Sequence, residues 1–390
     1  MRTRLWKLVL PSMAALAAVI FSGSAFAEDV IKYGLVSAFS GPAAAWGNMG
    51  EVNDQLGVED INAAGGIDVG GRKYKLELVK YDHAYDPTKG VTVVRQAVQQ
   101  DGVKFLEVMG GGIIPAVQPI TEPNKVFIFG VAGGDKWIGP KTPYTFKPYF
   151  SGTEAALAML TAAKQKNADI KSVLAMYPDD ELGHANADAL ARDAGKLELT
   201  SDAIFTARDV TDFYPVALKV MQNAPDVIDL GVTPGSQATE MVKQLRENGY
   251  QGIFIFSDTF DKDAFQNAGV IDAVLGGYSA PFWSSFNSEK GKSWMDRYRQ
   301  RYGSVQMWTG QQYDNLWLLK AAIEKAGTLD PDKVADALTQ VSVDGIGGKV
   351  AYGGKEVYGI ARAFITDIPV GEIVKEGDTL DLKEVYVYKP

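Results

Sequence analysis

Two short apolar runs, residues 104–109 and 126–131, each end in glycines, and the first glycine cluster opens into an amphipathic segment. That order predicts strand, turn, helix, strand, turn across residues 108–137, and it restricts the chain to folds with a parallel sheet. Gly110, Gly111 and Gly112 remove every side chain where the chain must bend sharply and where a ligand can approach the backbone. Pro115 suits an early helical position. Ala132, Gly133 and Gly134 arrive at the same sheet edge. Ligands of open α/β sheets bind just outside the carboxyl ends of strands, where amides and helix N-termini favour an anion. The two glycine turns therefore form a candidate carboxylate cradle.

The alternation holds on both sides of this stretch. Strands are predicted at 31–36 and 73–81 and helices at 42–64 and 86–100, which gives βαβαβαβ, a doubly wound sheet. After residues 145–151 the pattern starts afresh, with helices at 153–166, 183–194, 215–223 and 238–248 alternating with strands at 172–176, 203–206, 227–232 and 253–256. Helices at 315–326 and 331–341 and β-rich stretches at 361–365 and 384–388 complete the chain. The expected fold class is α/β, with two doubly wound lobes.

A chain of 390 residues, 46% hydrophobic and 22% charged, has enough apolar surface for two such lobes. It contains no cysteine and only two histidines, His83 and His184, which read as structural or solvent-facing. That inventory excludes disulfides, thiolate metal sites and a cysteine nucleophile, and supplies histidine triads and metal sites poorly. There is also no nucleophile elbow and no G-x-G-x-x-G fingerprint, so an enzyme is disfavoured and no cofactor or metal is expected. Asp179, Asp180 and Glu181 read as a solvated acidic run.

Arg2, Arg4 and Lys7 precede an apolar stretch at 8–21, and Ala25-Phe26-Ala27 places small residues at a cleavage position, so residues 1–27 read as a signal peptide with maturation at Glu28. Removing its three basic residues from 39 Lys and Arg against 48 Asp and Glu leaves the mature chain at −12, a balance that argues against nucleic acid or anionic membrane as a partner. The expected product is exported to the periplasm and is soluble and monomeric.

Several blocks carry a family resemblance. Ser40-Gly41-Pro42 with Trp46-Gly47-Asn48-Met49, then Asp60-Ile61-Asn62-Ala63-Ala64-Gly65-Gly66-Ile67, then Asp82 with Asp86-Pro87, and finally Gln311-Gln312-Tyr313-Asp314-Asn315 running on to Glu324-Lys325-Ala326-Gly327, occur in this order. Together they resemble the periplasmic leucine/isoleucine/valine-binding proteins. The resemblance implies a type I solute-binding protein of an ABC importer, with two lobes joined by three hinge strands that close on a small ligand and deliver it to a permease. It places the crossings near 147–151, 277–281 and 353–357. Lobe I would comprise 28–148 plus 279–355, and lobe II 149–278 plus 356–390.

The same resemblance assigns candidate site residues. Trp46 stands where the family packs an aromatic on the ligand. Gly111 or Gly112 stands where branched-chain binders have serine, and Ala132 and Gly134 where they have alanine and threonine, so backbone amides, with Gly133 between them, are left to hold a carboxylate. Asp258 falls near the acid that pairs with the ligand's ammonium group, although an Asp in a βα turn also serves as a helix cap. Glu181 replaces the family's tyrosine, with Tyr177 as a compensating aromatic. Tyr149, Phe150 and Trp283 flank the expected crossings and offer flat apolar surface. The expected ligand is a small hydrophobic or aromatic carboxylate, either an amino acid or an acid without the amino group. A soluble ligand sensor serving a separate receptor is the competing class.

Overall fold

A computed structural model describes residues 29–389 apart from 42, 133, 135, 149–151, 259, 281–287, 304–309, 347 and 365–367. The first lobe is built on strands β1 (Val30–Ser37), β2 (Ile67–Val69), β3 (Arg72–Asp82), β4 (Phe105–Met109), β5 (Phe127–Val131) and β6 (Thr145–Phe146), in the order β2-β3-β1-β4-β5-β6. All neighbours are parallel except the short hairpin that attaches β2 to the edge. Helices α1 (Ala44–Ala63), α2 (Pro87–Gln99) and α3 (Ile113–Thr121) make the crossovers. Asp86 caps α2 by accepting from the Thr88 and Lys89 amides, and Pro87 occupies the first turn, so the Asp-Pro pair starts that helix as its chemistry dictates.

Strands β4 and β5 are buried on both faces, which is why they read as apolar runs, broken in β4 only by Glu107. Along β4, Leu106 and Val108 pack with Val94, Val117 and Ile128 beneath α2 and α3. Phe105 packs on the opposite face with Leu56, Leu316 and Ile323, beneath α1 and a later helix. The alternation carries Glu107 onto that second face as well, where it is fully buried.

The second lobe holds helices α4 (Gly152–Lys166), α5 (Glu181–Lys196), α6 (Tyr214–Gln222), α7 (Gly235–Glu247) and α8 (Lys262–Asn267) around strands β7 (Ser172–Pro178), β8 (Thr200–Thr206), β9 (Val227–Asp229), β10 (Ile253–Phe256) and β11 (Tyr278–Ser279). The chain then returns to the first lobe through α9 (Glu289–Tyr302), α10 (Gln311–Ala326), α11 (Pro331–Leu338), β12 (Ser342–Asp344), β13 (Lys349–Gly353), α12 (Lys355–Tyr358) and β14 (Ala363–Phe364). It ends in the hairpin β15 (Ile368–Glu376) and β16 (Thr379–Tyr388), which extends the second sheet to β16-β15-β11-β10-β9-β7-β8.

These memberships fix where the chain changes sheets. The first passage lies between β6 and α4. Because β11 still pairs with β10 and β15, while α9 packs on α1, the second follows Ser279. Strands β12, β13 and β14 form a separate three-stranded sheet tied to the first lobe where Ala363 bridges to Lys147, and the second sheet is rejoined by β15 from Ile368. A buried ion pair reinforces that corner. Lys147 Nζ, wholly buried, donates to Glu154 Oε1 at 2.7 Å and to the Tyr358 hydroxyl at 3.1 Å, and Tyr358 donates to Glu154 at 2.7 Å. Lys147 is held charged because the attraction of Glu154 and Tyr358 outweighs burial, which by itself would lower its pKa. No helix among the described residues is long and apolar enough to cross a membrane.

Candidate functional site

In the first sheet β1, β3, β4 and β5 end in register at Ser37, Asp82, Met109 and Val131, and in the second β7 and β8 end together at Pro178 and Thr206. The turns leaving these edges meet across a cleft of about 280 Å³, near the small end of the range for ligand pockets.

Three turns of the first lobe supply one wall. The turn after β1 leads into α1, whose first two turns present Trp46 and Met49, and the turn after β3 presents Tyr85. Ala84 and Tyr85 have φ of 48° and 59°, a left-handed conformation that costs non-glycine residues free energy and persists only where neighbours enforce it. Here the enforcing groups are adjacent. Asp82 Oδ1 accepts from the Ala84 amide at 2.8 Å and from the Phe39 amide at 2.9 Å, and the Tyr85 amide donates to His83 Nδ1 at 2.9 Å. Burial pushes the Asp82 carboxyl up, but the bonds it accepts from Ser40, Phe39 and Ala84 outweigh this and hold it below its ordinary value. The Tyr85 ring meets Trp46 edge-on, centroids 5.4 Å apart.

The third turn contains the glycines. Gly110, at φ 114°, donates its amide to Val131 O at 3.0 Å, and its carbonyl accepts from Ile113 and Ile114 at the start of α3. The Gly111 and Gly112 amides donate to no described residue. A β-carbon on Gly111 would lie 2.6 Å from Glu181 Oε2, so this glycine lets the lobes touch.

The second lobe's wall is polar. Arg208 follows β8, and its Nε donates to Asp180 Oδ2 at 2.6 Å. Its loop is held by Gln237, whose Nε2 donates to the carbonyls of Ala207, Arg208 and Val210 at 3.3, 3.0 and 2.8 Å. Thr233 and Gly235 come from the turn after β9, and Asp258 from the turn after β10. Asp261 caps α8 through the Ala264 amide. Beneath them the buried Asp229 carboxyl accepts from the Gly231 and Ser257 amides at 2.8 and 3.2 Å and from the Tyr177 hydroxyl at 2.7 Å. Burial still raises Asp229 above its ordinary value.

The structure thus brings Trp46, Gly111, Ala132 and Asp258 to one cleft. It places Tyr177 elsewhere. Strand β7 runs two residues beyond its expected end, so Tyr177 is 1% exposed inside the sheet and its hydroxyl is occupied by Asp229. Gly112 is the N-cap of α3, where an added β-carbon would meet Pro87, and it is not among the residues that line the cleft. Gly134 lines a second hollow of about 310 Å³ with Glu181, Lys136 and Arg192. Gly133, Tyr149, Phe150 and Trp283, like the leader at 1–27, lie outside the described residues. His83 is fully buried, and His184 stacks on Phe205. The sequence reading missed Tyr85, Arg208 and Asp261. Tyr85 sits between the recognised Asp82 and Asp86-Pro87, and Arg208 lies two residues beyond a strand end, so position at a sheet edge was the available signal.

Residues 30–378 match the family model described as periplasmic binding protein. The chain is 40% identical to the Leu/Ile/Val-binding protein of Escherichia coli over 110 residues, a stretch that spans 28% of each protein. It is 28% identical over 353 residues to the Leu/Ile/Val-binding protein BraC3 of Rhizobium johnstonii, covering 88% of this chain and 93% of that one. The solved solute-binding protein of an ABC transporter from Rhodopseudomonas palustris, in complex with p-hydroxybenzoic acid, superposes with a TM-score of 0.76 at 21% identity, covering 93% of this chain and 97% of the other. With two doubly wound lobes meeting at a small cleft and a family match across nearly all the described residues, the chain belongs to the periplasmic binding protein family.

Proposed function

We propose that the protein is the extracytoplasmic solute-binding component of an ABC importer. In this reading it captures a small hydrophobic or aromatic carboxylate between its lobes, releases it unchanged to a permease, and acts as a monomer without enzymatic activity. The observation that carries the proposal is the pairing of an aromatic wall, Trp46 edge-on to Tyr85, with a wall that holds Arg208, Asp258 and Asp261 around a small cleft. Such a cleft suits a ligand with an apolar body and charged groups at one end. Arg208 offers fixed donors to a carboxylate, supplemented by the Gly111 amide, while Asp258 and Asp261 offer acceptors to an ammonium group. The relatives named for leucine, isoleucine and valine, and the neighbour bound to p-hydroxybenzoic acid, support the carboxylate class.

Export follows from the leader at 1–27, with cleavage after Ala27 as part of the same proposal. Calorimetric titration of leucine, phenylalanine, 4-hydroxybenzoate and 3-phenylpropionate into the mature protein tests the reading. At least one acid should bind with micromolar affinity or better and be recovered unaltered. Chemical conversion of the bound acid, or binding of sugars with none of the acids, would overturn it.

A further inference from the structure

His83 is fully buried at the cleft's edge, and the role assigned to the site so far makes no use of its ring. Both ring nitrogens are engaged. Nδ1 lies 2.9 Å from the Tyr85 amide, which can only donate, so Nδ1 is the acceptor and the ring proton sits on Nε2. Nε2 lies 3.0 Å from the Met109 carbonyl and donates to it. The backbone of the same residue is tied as well, its amide to Ser37 O at 3.0 Å and its carbonyl to the Asp86 amide at 2.8 Å. One residue therefore fastens together the ends of β1, β3 and β4, whose turns carry Trp46, Tyr85 and the glycines. The Tyr85 hydroxyl end reaches toward lobe II, where it feels the charges of Asp180, Arg208 and Glu181.

We infer that neutral His83 is a positioning residue for the ligand-facing wall: it fixes the left-handed Tyr85 against Trp46, and its protonation releases that wall, making the grip on ligand sensitive to acid. The reason is that imidazolium has two donors and no acceptor. A proton on Nδ1 faces the Tyr85 N–H, donor against donor, in a site closed to water. The imidazole faces the Met109 carbonyl from β4 and, from its own turn, the Tyr85 amide and the Tyr85 phenol, ring centroids 6.4 Å apart, while Gly90 of α2 lies by its β-carbon and Ser37 of β1 by its backbone amide. Tyr85 is the titratable group among them and is neutral in this pH range, so the charge acting on the ring is that of Asp82. Burial lowers the pKa of His83, against the opposing effects of its bond to Met109 and of Asp82. The imidazole is consequently neutral at pH 7, and the positioned state is lost as pH falls below the ordinary histidine value of about 6.5.

The consequence for ligand rests on the proposed function, but the primary test does not. The chain has two histidines, so 15N-histidine and 15N-tyrosine labelling of the ligand-free mature protein gives two ring systems, distinguished by His184→Asn. Between pH 8 and 4 the His83 ring should carry its proton on Nε2 at neutral pH and titrate below pH 6.5. The Tyr85 amide, identified with Tyr85→Phe, should shift with the same midpoint. A ring protonated on Nδ1 at neutral pH, a ring that stays neutral to pH 4, or a Tyr85 amide indifferent to the titration would each overturn the inference. If an acid from the panel binds, its affinity should fall on the order of tenfold across that midpoint, the worth of about one hydrogen bond. An affinity flat across the midpoint would also refute it. Failure of every acid to bind would count against the proposed function and leave the nuclear titration to decide the role of His83.

Discussion

The cleft residues contributed by the first lobe, Trp46, Met49, Tyr85, Met109 and Tyr302 among them, carry no formal charge, whereas the second lobe supplies Arg208, Asp258 and Asp261. The two walls also differ in how they are held. Lobe I anchors its turns from within the turn itself, through Asp82 and His83, and accepts backbone strain at Ala84 and Tyr85 to aim an aromatic ring. Lobe II anchors its turns from below, through buried Asp229 and the amide of Gln237, and leaves its charged side chains unstrained at the rim. Under the proposed function, the contrast would give shape recognition to one lobe and charge recognition to the other.

The largest expected effect comes from reversing lobe II's cation. Arg208→Glu should weaken binding of any carboxylate in the panel by about 3 kcal/mol or more, roughly hundredfold or beyond, because a charged hydrogen bond is lost and a repulsive charge takes its place. Calorimetry on the purified variant measures it, with circular dichroism to verify that the Asp180-capped α5 is intact. An unchanged affinity would move the carboxylate to the glycine turn of lobe I and dissolve the contrast.

Next is Asp258, which separates the two ligand classes. If the ligand is an amino acid and Asp258 receives its ammonium group, Asp258→Asn should cost on the order of 1.5–3 kcal/mol for phenylalanine or leucine. The same change should alter the affinity of the matched deaminated acid little. Equal effects on both would make Asp258 a part of the turn and leave Asp261 as the cleft's acidic acceptor.

What the sequence revealed and what it hid divide along the same line. The strands, their order of alternation and the glycine turns were legible, because apolar runs ending in Gly-Gly-Gly or Ala-Gly-Gly have few other uses; Trp46 was named through the family resemblance instead, and the fold sets it beside Gly111 and Ala132 on one cleft. Tyr85 was hidden because a left-handed tyrosine has no sequence signature; its conformation is imposed by partners that approach only in the fold. Arg208 was hidden because an arginine beyond a strand end reads as ordinary surface. Tyr177 misled for the opposite reason. Strand β7 continues through Pro178, paired with Thr206, and a strand that continues buries the residue that an earlier turn would have exposed.

A third prediction concerns the support beneath lobe I's wall. Glu107 and Asp54 are both fully buried, and burial drives both toward the acid form, Glu107 further so because of the neighbouring Asp54. A carboxyl whose folded pKa is raised contributes stability that is present below its unfolded value and is lost as pH rises through the folded one. Glu107→Gln, whose amide can donate to Asp54, should therefore raise the melting temperature at pH 8 by about 1 °C, for roughly 1 kcal/mol of relief, and by less at pH 5. A variant less stable than wild type at pH 8 would show that the pair is stabilising as it stands.

The smallest effect should come from Tyr85 itself, and it sharpens the distinction between shape and charge. Tyr85→Leu keeps apolar bulk beside Trp46 but removes the edge-on ring, so binding should weaken by about 0.5–1.5 kcal/mol, the usual worth of an aromatic pair beyond area burial. Tyr85→Phe keeps that ring and deletes only the hydroxyl that feels Asp180, Arg208 and Glu181, so it should weaken binding less. Side-by-side titration of one acid into both variants measures the difference. If the phenylalanine variant loses as much as the leucine variant, Tyr85 acts through its hydroxyl as a bridge to the charged wall. Lobe I would then take part in charge recognition, and the division between the walls would run through Tyr85 rather than along the cleft.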